Sequence, residues 1–428
     1  MGAARAAIVM FQHIEPYAGD PILTLNEAFG RDPRAHKINL SIGIYFDDDG
    51  RLPVMAAVRA AEAQQLQAAS ARPYQPMEGA VNYRQAVQHL LFGADHEALS
   101  RGRVATLQTI GGSGGLKVGA DFLKRWFPGS AVWVSDPTWD NHRAMFEGTG
   151  FAVHSYPYYD AATGGLDFEA MLAAFEQLPA QSIVLLHACC HNPTGVDLSQ
   201  EQWQRLIPVI ARRDLIPYVD IAYQGFGAGI EEDAWAIRAL ANFRSPSAPA
   251  DEDGGAGTPI SFFVASSFSK SFSLYGERCG GLSVVCPSAA QAELALGQLR
   301  ATIRRNYSSP PTHGGQVIAR VLQSPALRTQ WATELDAMRL RIAVLRQRLH
   351  AKLQQRLLAA GDTRNIDYFI TQRGMFSYTG LSPAQCDQLR EAHAVYLVRS
   401  GRMCAAGLNP GNVDAVAAAL AAVMRQKG

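Results

Sequence analysis

One lysine stands among side chains that could support its chemistry. Lys270 lies within SSFSKSFSLYGER, residues 266 to 278, with a serine on each side. The preceding PISFFVASS is apolar and rich in Ile, Phe and Val, which predicts a buried strand. A lysine at the end of such a strand would be partly desolvated and close to hydroxyl groups, a position that is costly to leave without a function. Lysine is also scarce, since the chain has only six among 39 basic residues.

Polar and aromatic side chains follow three other apolar runs. Trp139 comes after AVWVSD, and Asn192 comes after SIVLLH. Asp220 and Tyr223 lie at the end of IPYVDIAY. If these runs are neighbouring parallel strands, their carboxyl ends meet at one edge of a sheet, where Lys270 would join them.

A Gly-rich segment, TIGGSGGLKVGADFLKRWF at residues 109 to 127, predicts a loop that opens a helix. The N–H groups of a helix N-terminus bind phosphate well, and Ser113 adds a hydroxyl donor. Lys117 lacks the preceding Gly and the following Ser or Thr of a Walker loop, and the dinucleotide fingerprint would need Gly at that position. Taken alone, the segment is more typical of a structural turn than of a nucleotide site.

Together these groups suit pyridoxal 5′-phosphate (PLP). This cofactor needs a lysine for a Schiff base, a carboxylate facing the pyridine nitrogen and a cup for the phosphate. Lys270, Asp220 and the Gly-rich segment would supply them. SFSK also fits the S-x-x-K of penicillin-binding hydrolases, but the chain contains no K-T-G and a strand leads into the serine. The residues therefore favour a PLP enzyme.

The elements that must position these groups alternate along the chain. AVWVSDPTW, SIVLLHACCHNPTG, IPYVDIAYQGF and ISFFVASSFSK are short apolar runs that end in polar, Gly or Pro residues. Helical patterns such as LSQEQWQRLIPVIARRD lie between them. This alternation predicts an α/β fold with a mostly parallel sheet covered by helices.

The C-terminal part has a different character. After about residue 320, the long Arg-rich stretch LRTQWATELDAMRLRIAVLRQRLHAKLQQRLLAA has apolar residues at helical spacing. We expect this helix to join a large domain to a smaller one that contains YFITQRGMFSYTGL and a helix from Val413. Residues 245 to 258, SPSAPADEDGGAGT, predict an exposed flexible loop.

Composition excludes several classes of protein. Apolar residues make up 48% and charged residues 18%, and the net charge is +1, so neither nucleic acid nor a membrane surface is an expected partner. The N-terminal apolar run is too short for a signal peptide, and we expect a cytoplasmic protein. The six cysteines, without regular spacing, predict buried or neutral thiols in a reducing cytoplasm. His187 and His191 have no metal-ligand spacing, so no metal is expected.

Longer motifs carry a closer resemblance. SSFSKSFSLYGERCGGL, CCHNPTG, DIAYQGF, DPTWDNH, IRRNYSSPP and SGRMCAAGL resemble, in the same order, the motifs of the class I aminotransferases. Within that family the chain is most similar to bacterial aromatic amino acid (tyrosine) aminotransferases. The resemblance implies the PLP-dependent transferase fold of type I. It places a large PLP-binding domain at residues 53–335 and a smaller α/β domain, built from both termini, at residues 10–52 and 336–428.

The resemblance also assigns the cofactor contacts. It implies that Lys270 forms the Schiff base and later moves a proton between Cα of the substrate and C4′ of the cofactor. Asp220 would pair with the pyridinium nitrogen, while Asn192 and Tyr223 would hydrogen-bond the phenolic oxygen. Trp139 would stack on the ring. The phosphate cup would comprise Gly112, Ser113, Ser267, Ser269 and Arg278, with Tyr74 from a neighbouring subunit.

Substrate contacts follow from the same resemblance. Arg402 would bind the α-carboxylate, because a planar guanidinium suits a carboxylate. Arg304 of a partner subunit would meet the distal carboxylate of aspartate, glutamate or 2-oxoglutarate. Trp139, Asn192 and Gly43 would line the same pocket. These contacts imply a homodimer with Tyr74 and Arg304 acting across its interface.

The amino donor is predicted to be aromatic. LSIGIYF places Ile44 and Phe46 beside the pocket, and Ser113 and Ser309 stand where aspartate-specific relatives tend to carry Thr and Asn. We expect transfer from tyrosine or phenylalanine, and from aspartate, to 2-oxoglutarate. Two alternatives remain: an aspartate aminotransferase with little aromatic activity, and a catalytically silent PLP-fold module that senses ligands.

Overall fold

A computed structural model describes residues 11, 13–17, 19–245 and 257–425 of the chain. The helices are α1 (Pro21–Arg31), α2 (Ala56–Gln67), α3 (Val81–Phe92), α4 (Glu97–Ser100), α5 (Gly111–Trp126), α6 (Asp140–Glu147), α7 (Phe168–Phe175), α8 (Gln200–Arg212), α9 (Ile230–Asp233), α10 (Trp235–Asn242), α11 (Ala289–Asn306), α12 (His313–Gln323), α13 (Pro325–Ala359), α14 (Tyr368–Thr371), α15 (Pro383–His393) and α16 (Val413–Met424). Short 3-10 turns lie at Tyr275–Glu277 and Ala405–Gly407.

The strands are β1 (Ile38–Asn39), β2 (Val104–Ile110), β3 (Val132–Asp136), β4 (Val153–Pro157), β5 (Tyr159–Asp160), β6 (Gly165–Leu166), β7 (Ile183–His187), β8 (Ile216–Ile221), β9 (Arg244–Ser245), β10 (Thr258–Pro259), β11 (Phe262–Ser267), β12 (Cys279–Val285), β13 (Phe376–Tyr378), β14 (Val395–Tyr396) and β15 (Arg402–Cys404). Seven of them form one sheet in the order β2-β12-β11-β8-β7-β3-β4. Only β12 runs against the others in this sheet.

The four apolar runs singled out in the sequence form adjacent strands. They are β3, β7, β8 and β11, which lie side by side and pair in parallel. Their side chains alternate between two cores: Val219 of β8 faces one and Tyr218 the other. Because helices cover both faces, both sets of side chains are apolar, and the runs lack polar alternation. The prediction of an α/β fold with a mostly parallel sheet is confirmed.

Helix α5 starts directly at the end of β2. Gly111 has φ of +66°, which glycine adopts without strain, and this residue turns the chain from strand to helix. Further along, Gly119 packs against β8 so closely that a Cβ there would lie 2.1 Å from the hydroxyl of Tyr218. That hydroxyl donates to the carbonyl of Gly115, 2.8 Å away. The glycines therefore let α5 lie close to the strand that carries Asp220.

The long helix predicted from the Arg-rich segment is α13, of 35 residues, capped by Ser324 with a proline at its first position. Strand β1 pairs in parallel with β14, so segments near both termini meet, as the fold prediction required. The boundary proposed at residue 335 lies inside α13, and the two domain ranges stay predictions. Met10 and residues 426–428, which those ranges include, lie outside the described residues.

Three further expectations concern single features. All six cysteines are free and buried, as predicted. Of the predicted loop at 245–258, residues 246–256 lie outside the described ranges, and the flanking β9 and β10 pair with each other. Within the described residues, no helix combines the length and the apolar character needed to cross a membrane.

Candidate active site

A cavity of about 230 Å³ opens at the carboxyl ends of the parallel strands. Twelve of the fourteen predicted site residues line it. The full lining is Ile22, Gly43, Gly112, Ser113, Leu116, Trp139, Asn192, Asp220, Ala222, Tyr223, Ser267, Ser269, Lys270, Arg278, Phe376 and Arg402.

A larger cavity lies at the other end of the parallel strands, near the amino-terminal ends of β8 and β11. Its volume is about 730 Å³, and it is lined mainly by apolar side chains such as Phe122, Trp126 and Phe263. It borders Ser245 and Thr258, which flank the residues outside the described ranges. Because the side chains suited to chemistry line the smaller cavity, we take that cavity as the candidate active site.

Lys270 lies three residues beyond the end of β11 and is partly buried, with Nζ 5.0 Å from the centre of the Tyr223 ring. Burial lowers the pKa of Lys270 to about 8; Asp220 opposes this shift, and Arg278 and Arg402 add to it. At pH 7 such an amine is neutral far more often than an ordinary lysine. A neutral amine is the form that attacks a carbonyl carbon or accepts a proton.

Asp220, near the end of β8, is paired with a histidine that sequence reasoning missed. The Nε2 atom of His142 lies 3.1 Å from Oδ2 of Asp220, and its Nδ1 lies 2.9 Å from the Thr138 hydroxyl. Burial alone would raise the pKa of Asp220, but the hydrogen bond from His142 and the charge of Lys270 lower it below the ordinary value. Asp220 is therefore an anion whose orientation is fixed. The signal for His142 was its place in DPTWDNH, three residues after Trp139.

The N-terminus of α5 forms one wall of the cavity. The helix has no side-chain cap, so the first N–H groups, beside Gly112 and Ser113, have no such partner. A Cβ at Gly111 would lie 2.7 Å from Nη2 of Arg278, and one at Gly112 would lie 3.0 Å from Cβ of Ser267. Glycines at these two positions therefore leave the helix terminus open to a small anion.

Three more donors face the same terminus. Arg278 has φ of +51° and follows a 3-10 turn, and its Nη1 donates to the carbonyl of Tyr275 at 3.1 Å. The same nitrogen reaches the Ser269 hydroxyl at 3.4 Å, and the hydroxyls of Ser267 and Ser269 lie 3.3 Å apart. These long contacts leave most of the donor capacity of the three side chains free for an anion.

On the other side of the cavity lies the buried guanidinium of Arg402. Its Nη1 donates to Oδ1 of Asn192 at 3.1 Å and its Nη2 to the carbonyl of Ser41 at 2.8 Å. The guanidinium lies 4.4 Å from the centre of the Phe376 ring. Burial lowers the pKa of Arg402, while Tyr223 opposes that shift. The Nε atom has no hydrogen-bond partner among the described residues.

Sequence reasoning did not single out Phe376 or Ile22 as lining residues. Phe376 lay in the quoted YFITQRGMFSYTGL, and Ile22 stands at the start of α1, held by the Asp20 cap. Both are ordinary apolar residues in sequence. Only the folded chain brings them to the cavity.

Two predicted residues do not lie in the cavity of this chain. The side chain of Tyr74 is 97% exposed, and Arg304 is exposed, where it contacts the Ser308 hydroxyl. Ile44 and Phe46, expected beside the pocket, are not among the lining residues, although Gly43 is.

The donor set fits PLP in three independent ways. The α5 terminus, with its open glycines and free hydroxyls, suits a phosphate. The Asp220 carboxylate, held by His142, suits a protonated pyridine nitrogen. The partly buried Lys270, with its lowered pKa, suits a Schiff base with the aldehyde.

Among the residues that the structure describes, two buried groups have ligand atoms close enough for a metal ion. His142, His187 and Asp220 form one, and Cys189, Cys190 and Asp233 form the other; within each, the atoms lie within 4.8 Å of one another. In the first group Asp220 already accepts from His142. In the second, the Asp233 carboxylate accepts from three backbone N–H groups. Both carboxylates thus have other partners.

Comparisons with known proteins show the family to which the chain is similar. A family model described as aminotransferase class I and II matches residues 35–420. The aromatic-amino-acid aminotransferase of Escherichia coli K12 is 58% identical over 416 residues, which cover 97% of this chain and all of that protein. The aspartate aminotransferase of Pseudomonas aeruginosa is 48% identical, with the same coverage.

A solved structure is also similar. The aromatic-amino-acid aminotransferase of Burkholderia pseudomallei, described as covalently bound to pyridoxal phosphate, superposes with a TM-score of 0.89. It is 49% identical in sequence, and the match covers 97% of this chain and all of that one.

Proposed function

The chain belongs to the class I and II aminotransferases, and from that premise we propose that it transfers the amino group of an aromatic or acidic amino acid through PLP bound in the cavity described above. The observation that carries this proposal is the convergence of Lys270, Asp220, Arg278 and Arg402 on one cavity. Amino transfer through PLP requires four contacts from the protein. These are an amine for the Schiff base, an anion facing the pyridine nitrogen, a hydrogen-bond donor to the phosphate and a hydrogen-bond donor to the substrate carboxylate.

PLP, once bound, withdraws electrons from the substrate Cα and so makes its proton acidic. The chain would contribute binding and proton transfer. We propose that the α5 N-terminus, Ser267, Ser269 and Arg278 hold the phosphate and that Asp220 holds the ring nitrogen in its protonated state. Lys270, with a pKa of about 8, would accept the proton from Cα of the substrate and deliver it to C4′ of the cofactor.

Substrate orientation would depend on Arg402. Its Asn192 and Ser41 partners hold the guanidinium in place, so a carboxylate can bind it without reorganisation of the side chain. The amino acid would then lie with Cα near Lys270. The apolar side chains of Ile22, Leu116 and Phe376 would contact an aromatic substrate.

The half-reaction of the PLP-loaded protein tests this proposal. We would follow the visible absorption of the bound cofactor after adding L-tyrosine and, separately, L-aspartate. Conversion to the amine form of the cofactor by both amino acids is expected, with tyrosine at least as fast as aspartate. Conversion by aspartate alone would identify an aspartate aminotransferase instead. No conversion by either would refute the proposal.

We further propose 2-oxoglutarate as the amino acceptor and a homodimer as the active form. The exposed Arg304 and Tyr74 of one subunit would reach the cavity of the other, to contact the distal carboxylate and the phosphate respectively. Their exposure on a single chain, 97% for Tyr74, supports this assignment.

We also propose a cytoplasmic location, because six free cysteines suit a reducing compartment. Cell fractionation would test it.

Subunit mixing tests the homodimer sharply. The variant Lys270→Ala lacks the amine that would form the Schiff base. The double variant Tyr74→Ala, Arg304→Ala lacks the two side chains that would reach into the cavity of the other subunit. Each should be nearly inactive alone. After mixing in equal amounts and exchange, half of the dimers have one complete cavity, so about a quarter of wild-type activity should return. No recovery despite confirmed exchange would show that these residues do not act across an interface.

A further inference from the structure

Arg346, in α13, is a buried arginine that no part of the proposed reaction uses. It is 4% exposed, and it has no acidic partner within ion-pair distance among the described residues. Burial lowers the pKa of Arg346 to about 10, so the side chain is still a cation at neutral pH. Placing a cation in a core without a counter-ion is costly. Such a residue is expected only where its hydrogen bonds achieve something that an apolar residue could not.

All hydrogen bonds of this guanidinium go to one short segment. Nη1 donates to the carbonyl of Phe369, at 3.0 Å, and to the Ser377 hydroxyl. Nη2 donates to the carbonyls of Gly374, at 3.0 Å, and Phe376. The two nitrogens carry four N–H bonds and meet four acceptors, all within residues 369–377, which we call the Phe376 segment.

The Phe376 segment carries the ring that lies against the substrate-binding arginine. The ring of Phe376 lies 4.4 Å from the Arg402 guanidinium and 5.6 Å from the ring of Tyr223. Its edge lies so near Gly43 that a Cβ there would come within 2.9 Å. One phenyl ring thus touches three of the predicted site residues, and Arg346 holds its backbone.

The fork of Arg346 is well suited to this task. A planar guanidinium fixes four acceptors in a defined arrangement, whereas a lysine offers one freely rotating ammonium group. Helix α13 is long and well packed, with Trp331, Leu345 and Leu353 buried along it. The guanidinium of Arg346 is therefore attached to a rigid helix. The positions of the segment and of the helix are therefore coupled.

We propose that Arg346 is a positioning residue for substrate recognition: it fixes the Phe376 segment and thereby holds the Phe376 ring against the carboxylate-binding guanidinium of Arg402. This inference rests on the role of Arg402 in the proposed function. The effect should appear in the binding of carboxylates, because that is the step in which Arg402 takes part. Attachment of PLP, which depends on Lys270 and the α5 terminus, should change little.

The test compares PLP-loaded wild-type protein with Arg346→Met, Arg346→Lys and Leu353→Ala. Leu353 is fully buried on the same helix, two turns beyond Arg346, and has no polar side-chain atom with which to bond the Phe376 segment, so its variant controls for lost stability. We would measure kcat and KM for L-tyrosine and L-aspartate, the Kd of maleate from the cofactor absorption, and Tm. Arg346→Met should raise KM and the maleate Kd about tenfold or more, with a smaller effect on kcat. Arg346→Lys should lie between it and the wild type.

Leu353→Ala should lower Tm while changing the maleate Kd less than about threefold. A maleate Kd for Arg346→Met no higher than that of Leu353→Ala would overturn the inference. If Arg346→Met does not fold, an Arg346→Lys protein with wild-type KM and Kd would overturn it equally. A wild-type protein that transaminates neither amino acid would refute the proposed function instead, and the maleate comparison would still test Arg346.

Phe376→Leu gives an independent check. If Arg346 acts through the ring of Phe376, the two changes affect one contact and their effects on the maleate Kd should not add. The double variant Arg346→Lys, Phe376→Leu is expected to have a maleate Kd within about twofold of that of Phe376→Leu alone. Full additivity would show that Arg346 acts by another route.

Discussion

The lowered pKa of Lys270 predicts how fast the protein takes up its cofactor at different pH values. Only the neutral amine attacks the aldehyde of PLP, so the rate of covalent attachment should follow the neutral fraction. With a pKa of about 8, that fraction at pH 7 is about one in ten, against about one in 3,000 for an ordinary lysine. Between pH 7 and pH 9 the attachment rate should therefore rise about tenfold and level off, whereas for an ordinary lysine it would rise about 100-fold and continue to rise.

Stopped-flow mixing of the apoprotein with excess PLP from pH 6 to pH 10 measures this rate, with Nα-acetyl-lysine as the control for titration of PLP itself. Two variants test the cause. Arg402→Gln removes a cation that lowers the pKa of Lys270, so the midpoint should move up; Asp220→Asn removes an anion that raises it, so the midpoint should move down. A wild-type midpoint at or above pH 10, or variant shifts of the opposite sign, would refute the reasoning.

Three other predictions concern the support of the site. Gly119→Ala should destabilise the protein by about 2 kcal/mol or more, because the new Cβ would collide with the hydroxyl of a buried tyrosine. The control is Gly297→Ala, which lies in open space within α11 and should stabilise the protein by about 0.5–1 kcal/mol. Urea unfolding measures the free energy of unfolding of both variants. His142→Ala removes the hydrogen bond that lowers the pKa of Asp220, so on acidification the cofactor should be lost at a higher pH than in the wild type, as dialysis at stepped pH would show. Arg402→Lys should raise KM for amino acids about 10- to 100-fold in steady-state assays, because a bidentate contact becomes a single one, and an unchanged KM would contradict its assigned role.

Local patterns were enough to predict much of the fold and the site. The strands ending near Asp220 and Lys270 are continuous apolar runs, because helices cover both faces of the sheet. Chain position relative to those strand ends then placed the polar residues at one edge. The motif resemblance added Arg402, which would otherwise pass for a surface arginine.

The residues that sequence reasoning missed depend on contacts distant along the chain. His142 matters only because α6 brings it against Asp220, 78 residues away. Arg346 belongs to an Arg-rich helix face that patterning would assign to solvent, yet it is buried against a segment about 30 residues further on. No local periodicity distinguishes it from its exposed neighbours. The placement of Tyr74 and Arg304 in the cavity of a neighbouring subunit stays a prediction, because both are exposed on the single chain.

The six buried cysteines have a practical consequence. Burial raises the pKa of thiols such as Cys279 and Cys286, to about 12 and about 11, so at neutral pH they are both inaccessible and protonated. A thiol-reactive dye should then label the native protein very slowly, and each label would record a transient opening of the region that holds its cysteine. Since these residues are spread from Cys189 to Cys404, mass spectrometry of the labelled peptides would rank the parts of the chain by how often they open.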